Sequence, residues 1–279
     1  MIELLKRVWT SPKARSGCVV FACVLAFGLL GPICLEAEPT DMVGELYEPP
    51  SAERWLGTDN FGRDIFTQLA HGTRTSLQVG LLAGLIATLI GTAMGSVAGY
   101  KGGLPDAVLN SVTNLFLVIP PFVVLILLSI SLRTRSVAVL AVIIGVTSWP
   151  WVSRSVRAQV YSLKTRRHVD IARISGFGTF AIIVREILPY ILSYIVMAFV
   201  LQVASGILTE ATLSMLRLGP YNAVSLGTMM SWALMFEAVR AHAWWAFIPP
   251  VLLIAVITFS LKYINSGMDE VFNPRLRRT

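Results

Sequence analysis

Residues 161–189 read YSLKTRRHVDIARISGFGTFAIIVREILP, with seven charged side chains (Lys164, Arg166, Arg167, Asp170, Arg173, Arg185 and Glu186) between apolar runs long enough to cross a bilayer. Such a segment belongs outside the lipid, because each charge left in hydrocarbon costs about 3 kcal/mol or more. Within it, Asp170-Ile171-Ala172-Arg173 and Gly176 are followed after ten residues by Ile187-Leu188-Pro189. The arrangement reads as a handle for a soluble partner.

Composition sets the solvent for the rest of the chain. Hydrophobic residues make up 55% of it and charged residues 14%, which leaves more apolar surface than a water-soluble fold can cover. A hydrocarbon core of roughly 30 Å takes about 20 apolar residues in a helix. Six runs approach or exceed that length, at 17–35, 77–100, 112–132, 137–152, 190–212 and 243–264. They are continuously apolar where barrel strands would alternate. The expected fold class is therefore an all-α integral membrane protein of about six transmembrane helices. The fourth run is the shortest, and its Trp149-Pro150-Trp151 end leaves its inner boundary open.

With a cytoplasmic N-terminus, six crossings place 16 of the 23 lysines and arginines inside, from Lys6, Arg7, Lys13 and Arg15 to Arg275, Arg277 and Arg278. The first outer loop, 36–76, holds eight acidic residues against Arg54, Arg63 and Arg74. This is the asymmetry of the positive-inside rule. The net charge of +7 thus reports topology and contact with anionic membrane lipid, and no nucleic-acid partner is expected. The expected organisation is a cytoplasmic segment at 1–16, a first span at 17–35, and an extracytoplasmic loop with a short helix at 36–76. A five-helix core at 77–264 contains the cytoplasmic loop 154–189, and a cytoplasmic tail follows at 265–279. The first apolar run is too long for a cleaved signal and lacks a small-x-small site, so it is expected to stay as a span. Cys18, Cys23 and Cys34 all fall in this run, without metal-ligand spacing, and read as packing or lipid-facing residues.

In the outer loop, Thr58 or Asp59 can cap a short helix with Phe61, Ile65 and Leu69 on one face, and Asp59 and Arg63 are spaced as a helical pair. Gly80, Gly84, Gly91, Gly95 and Gly99 form a stripe on the second span where another backbone can approach. Pro120 and Pro121 permit a bend in the third. Glu210, near the outer end of the fifth span, is the one ionisable residue left within a run. A proton-coupled carrier would need a relay of such groups and internal inverted repeats. His71, His168 and His242 are scattered and read as surface residues. No phosphate-binding glycine loop, nucleophile elbow or zinc helix is present, so the chain is expected to be no enzyme, with no cofactor or metal.

The segment 168–189 resembles the cytoplasmic loop of ATP-binding-cassette importer permeases: Glu-Ala-Ala, three residues, Gly, then Ile-x-Leu-Pro. Trp55-Leu56-Gly57-Thr58-Asp59 with Gly62-Arg63-Asp64, the inner turn Ala98-Gly99-Tyr100-Lys101-Gly102-Gly103, Leu208 to Ser214 with Leu218-Gly219, and Asn273-Pro274-Arg275 narrow the match. The chain is similar to the dipeptide, oligopeptide and nickel permease family over about 220 residues, in the subunit type with a long outer loop. Asp170 and Ile171 replace the family's Glu and Ala, Asn114 stands where Asp is frequent, and Met215 and Arg217 interrupt the usual Ser-Phe-Leu-Gly-Leu-Gly.

The resemblance implies a type I importer permease fold in the prokaryotic plasma (inner) membrane, with both termini cytoplasmic. It implies a heterodimer with a homologous permease, two cytoplasmic ATP-binding subunits that hydrolyse ATP, and an extracytoplasmic solute-binding protein. Asp170, Ala172, Arg173, Gly176, Leu188 and Pro189 are then the ATPase-coupling residues, with Ala172 and Gly176 entering a groove of the ATPase and Pro189 starting the returning span. Asp59, Arg63, Asp64, Glu210 and Arg217 belong to the outer loop and gate; Arg217 either faces the substrate path or sits at headgroup level. Short peptides are the expected cargo, with oligosaccharides or nickel as alternatives, and a secondary carrier as the rival class.

Overall fold

The computed structural model describes residues 9, 11–35, 37–131 and 136–272. Asn273-Pro274-Arg275 and the terminal basic residues Lys6, Arg7, Arg277 and Arg278 lie outside the described residues. The helices are α1 (Pro12–Cys34), α2 (Ile65–Lys101), α3 (Gly103–Val118), α4 (Pro121–Ser131), α5 (Val137–Leu163), α6 (Arg167–Ile174), α7 (Thr179–Met215), α8 (Leu226–Met235) and α9 (Ile248–Phe272). Among the described residues, five stretches are long and apolar enough to cross a membrane; α3 and α4, bent by 82° at their junction, make a sixth if they count as one broken span. At 37 residues, α2 and α7 each run about 55 Å, nearly twice a hydrocarbon core, so both stand out of the lipid.

Several boundaries depart from expectation for local reasons. No short helix is capped by Thr58 or Asp59. The Asp64 carboxylate instead accepts from Thr67 N at 2.7 Å and starts α2 twelve residues ahead of the apolar run at 77. The α3–α4 break falls at Ile119, held extended (ψ 126°) by the proline that follows it. Trp149-Pro150-Trp151 does not end α5, which continues to Leu163. Pro189 stands at the start of the α-helical stretch Leu188–Met215, as expected, directly after a widened π-helical turn, Ile183–Ile187, that joins it to Thr179–Ile182 within α7. A proline ring crowds the carbonyl four residues back, here that of Arg185, and the wider turn makes room for it.

The glycine stripe of α2 serves two neighbours. Gly80 and Gly84 lie against Val203 and Ile207 of α7, while Gly91, Gly95 and Gly99 lie against residues 149–160 of α5. A Cβ at Gly91 would stand 2.6 Å from Val152 Cβ and 2.8 Å from the Trp149 carbonyl oxygen, so the backbones meet directly. α1 straps onto α9, where Gly17 meets Ile264 and Lys13 pairs with Glu270. The molecule has a basic end, with the α2–α3 turn, the end of α5, α6 and the start of α7. Its acidic end gathers residues 37–64, the α7–α8 connection and α8.

Candidate functional site

At the acidic end, residues 42–64 fold back on themselves. Gly62 (φ +74°) lets the chain turn where any side chain would strike the Gly44 carbonyl. Asp59 is buried: Oδ1 accepts from Phe61 N (2.8 Å) and Arg63 N (2.9 Å), and Oδ2 from Gln68 Nε2 (2.8 Å). Asp59 thus closes a turn, and no helical ion pair with Arg63 forms. The Arg63 guanidinium lies over the rings of Phe61 (4.3 Å) and Trp232 of α8 (5.0 Å). Trp245 Nε1 donates to the Thr58 carbonyl at 3.2 Å, and Tyr47 donates to the Phe236 carbonyl at 2.8 Å. Burial, and then the charge of Asp59, push the Tyr47 hydroxyl above its ordinary pKa.

Glu210 is fully buried. Its Oε2 accepts from Ser76 of α2 (2.8 Å) and its Oε1 from Ser214 (2.6 Å), while Ser76 Oγ accepts from Leu226 N (3.3 Å). One carboxylate thereby ties α2 and α7 to the first turn of α8, which Ser225 and Thr228 close with reciprocal caps. Arg217, in the left-handed region at φ +65°, is exposed and lines a cavity of about 270 Å³ with Phe61, Tyr221 and Trp232. Its Nε donates to Met235 Sδ at 2.7 Å. Arg63, Glu210 and Arg217 all reach α8 or its first turn, and Asp59 and Asp64 shape the entry to α2.

At the basic end, Val169 and Ala172 (5% exposed) pack in one cluster with Val160 of α5 and Ile182 and Ile187 of α7. Ala172 is therefore an anchor of α6 within this chain, contrary to the expectation that it projects into a partner. The turn presents Ile174 (87% exposed), Phe180 (80%) and Ile171. Gly176 follows α6 at φ +80° with nothing within 4 Å of a Cβ position, and Phe177 N returns to the Ala172 carbonyl at 3.1 Å. Asp170 and Arg173, both about half exposed, pair with each other at 3.1 Å. Leu188 packs beside the cluster, and Pro189 is exposed.

Between these ends, a groove of about 580 Å³ opens where α3 breaks into α4. Gln202, Ser205 and Thr209 of α7 line it at spacings of three and four, opposite Phe116 and Trp151, and Gln202 Nε2 donates to the Ser148 carbonyl of α5 at 2.8 Å. Toward the basic end, Arg154 Nη2 donates to Asn114 Oδ1 at 2.8 Å, and Arg157 grips Asp106 through two bonds of 2.6 and 2.7 Å. Sequence reasoning missed this face because it weighed charges alone. The signal was there, a polar residue every three or four positions in an apolar run.

The family described as the inner membrane component of binding-protein-dependent transport systems matches residues 91–278. The dipeptide transport system permease protein DppC of Bacillus subtilis is 31% identical over 277 residues, covering 98% of this chain and 85% of that protein. A putative peptide permease protein of Brucella suis is 32% identical, over 95% and 92% of the two chains. A second protein of that organism, a putative peptide transport system permease, is 30% identical over 98% and 91%. With this match and the five to six membrane-length helices among its described residues, the chain belongs to the binding-protein-dependent transport-system inner-membrane-component family, as a multi-pass permease with the type I importer fold.

Proposed function

We propose that this chain forms, with a homologous permease, the path through which an ATP-driven importer takes up short peptides delivered by an extracytoplasmic solute-binding protein. Relatives named for dipeptide and peptide transport align with nearly its whole length, which favours peptides over oligosaccharides or nickel. The basic end faces the cytoplasm, in keeping with the positive-inside rule. Two ATP-binding subunits dock there and hydrolyse ATP, which this chain does not do itself.

The observation that carries the proposal is the α6 turn. Ile171, Ile174 and Phe180 stand exposed around Gly176 on a segment too polar for lipid, while Val169 and Ala172 clamp the same helix to α5 and α7. Apolar side chains displayed in water await a protein surface. Closure of the ATPase dimer then moves α6 as a rigid lever, and α5 and α7, the walls of the groove, move with it. At the acidic end, Asp59, Arg63, Asp64, Glu210 and Arg217 hold α8 and its approach as the outer gate, where the loaded binding protein releases its peptide.

Purification from inner membranes through a tag on this chain tests the proposal. A second permease and ATP-binding subunits should copurify, with ATP hydrolysis stimulated by binding protein loaded with tripeptides. Isolation of the chain without an ATPase, or stimulation by sugars or nickel alone, overturns it.

A further inference from the structure

One helical turn beyond the groove's lining, an arginine borders it. On α5, Thr147 and Ser148, then Trp151, then Arg154 follow one another at helical spacing down a single face, and on α3 Asn114 lies one turn below Leu117 of the groove wall. The hydrogen bond from Arg154 Nη2 to Asn114 Oδ1 (2.8 Å) bridges these helices one turn beyond Trp151 and Leu117 of the groove wall. Arg154 is exposed, and its partner is a neutral amide. On the same pair of helices, Asp106 gives both oxygens to Arg157. Among the described residues, no carboxylate pairs with Arg154. The guanidinium's flat fork of donors, one of which goes to a neutral amide, matches a carboxylate.

We propose that Arg154, steadied by Asn114, reads a carboxylate of the substrate at the end of the groove, so that this subunit passes peptides with a free C-terminal carboxylate in preference to otherwise identical peptides without one. The inference rests on the peptide-import reading above and names the group recognised within it. Gln202, Ser205 and Thr209 supply neutral partners for the peptide's amides, while the guanidinium selects its charged end and repels free cations. Asn114 fixes where the guanidinium sits without neutralising it. An aspartate there would form an ion pair with Arg154 and cancel the selection.

The test uses the whole complex in lipid vesicles, supplied with ATP, its binding protein and a mixed tripeptide library prepared both as free acids and as C-terminal amides. Uptake is read by mass spectrometry and divided by the acid-to-amide ratio that the binding protein alone retains. The unaltered complex should favour the acids roughly tenfold, as expected for one charge-assisted hydrogen-bonded contact. Arg154→Gln and, independently, Asn114→Asp should bring the ratio close to one, with assembly and ATP hydrolysis retained, and Arg154→Lys should keep part of the preference. No preference in the unaltered complex overturns the proposal, as does a preference that survives both Arg154→Gln and Asn114→Asp, which would leave the guanidinium answering to lipid phosphate or to the second permease. If neither acids nor amides enter while ATP is hydrolysed, peptide import itself fails, and this inference fails with it.

Discussion

Substitution of Gly176 separates the two ways in which the α6 turn can matter. The residue sits at φ +80° and a Cβ there meets nothing within 4 Å, so alanine brings no clash inside the chain, only backbone strain. An L-residue in the left-handed region costs about 1–2 kcal/mol, which lowers the population of the observed turn roughly 5–30-fold where the loop can relax. Gly176→Ala should therefore reduce peptide uptake per ATP hydrolysed by up to that factor, and Gly176→Asn by less, because asparagine tolerates this region better. Gly176→Trp adds volume where the chain itself leaves open space. Any further loss beyond alanine reports a surface that is not in this chain. Uptake and binding-protein-stimulated hydrolysis in vesicles, with the melting temperature of the purified complex as control, give the readout. A tryptophan variant that assembles and transports at the unaltered rate refutes docking at this turn, and an asparagine variant no better than alanine refutes the argument from backbone strain.

Replacing Glu210 with Ala strands the buried hydroxyls of Ser76 and Ser214, at about 1–3 kcal/mol each, and should lower the melting temperature of the complex and expose α8 to limited proteolysis. Gly91→Leu forces a side chain into Val152 and the Trp149 carbonyl, and overpacking of this kind costs about 1–3 kcal/mol, whereas Leu89→Ala on the exposed face of the same helix should leave thermal stability unchanged. Because the folded pKa of Tyr47 is raised, its contribution to the acidic-end fold is complete below the unfolded value near 10 and is lost as pH rises through the higher folded value. Tyr47→Phe should remove that alkaline loosening when proteolysis of residues 42–64 is followed against pH.

The membrane class, the bend at Pro120-Pro121 and the glycine contacts were legible because each follows from one chemical fact: continuous apolarity, a missing N–H, a missing Cβ. Competition among near-equal groups was not. Asp59 and Asp64 are both good helix caps, and only the packing of Gln68 beneath Asp59 decides that the former closes a turn and the latter starts α2. Ala172 read as a surface contact because it is small, yet small residues also mark tight burial, and the hydrophobic cluster at Val160 and Ile187 takes it. Arg154 falls in the expected cytoplasmic loop 154–189, since Trp149-Pro150-Trp151 left the inner boundary of the fourth run open. The helix α5 instead continues past Pro150 and holds that guanidinium one turn beyond Trp151, bonded to Asn114 of α3.

ATP-driven accumulation of labelled tripeptide in vesicles tests the central claim most directly. Vesicles holding this chain, its partner permease and the ATP-binding subunits should accumulate peptide against its gradient when ATP is supplied on the side of the α6 turn and loaded binding protein on the opposite side. Accumulation driven by an ion gradient without ATP, or undiminished when the ATP-binding subunits are left out, would contradict it.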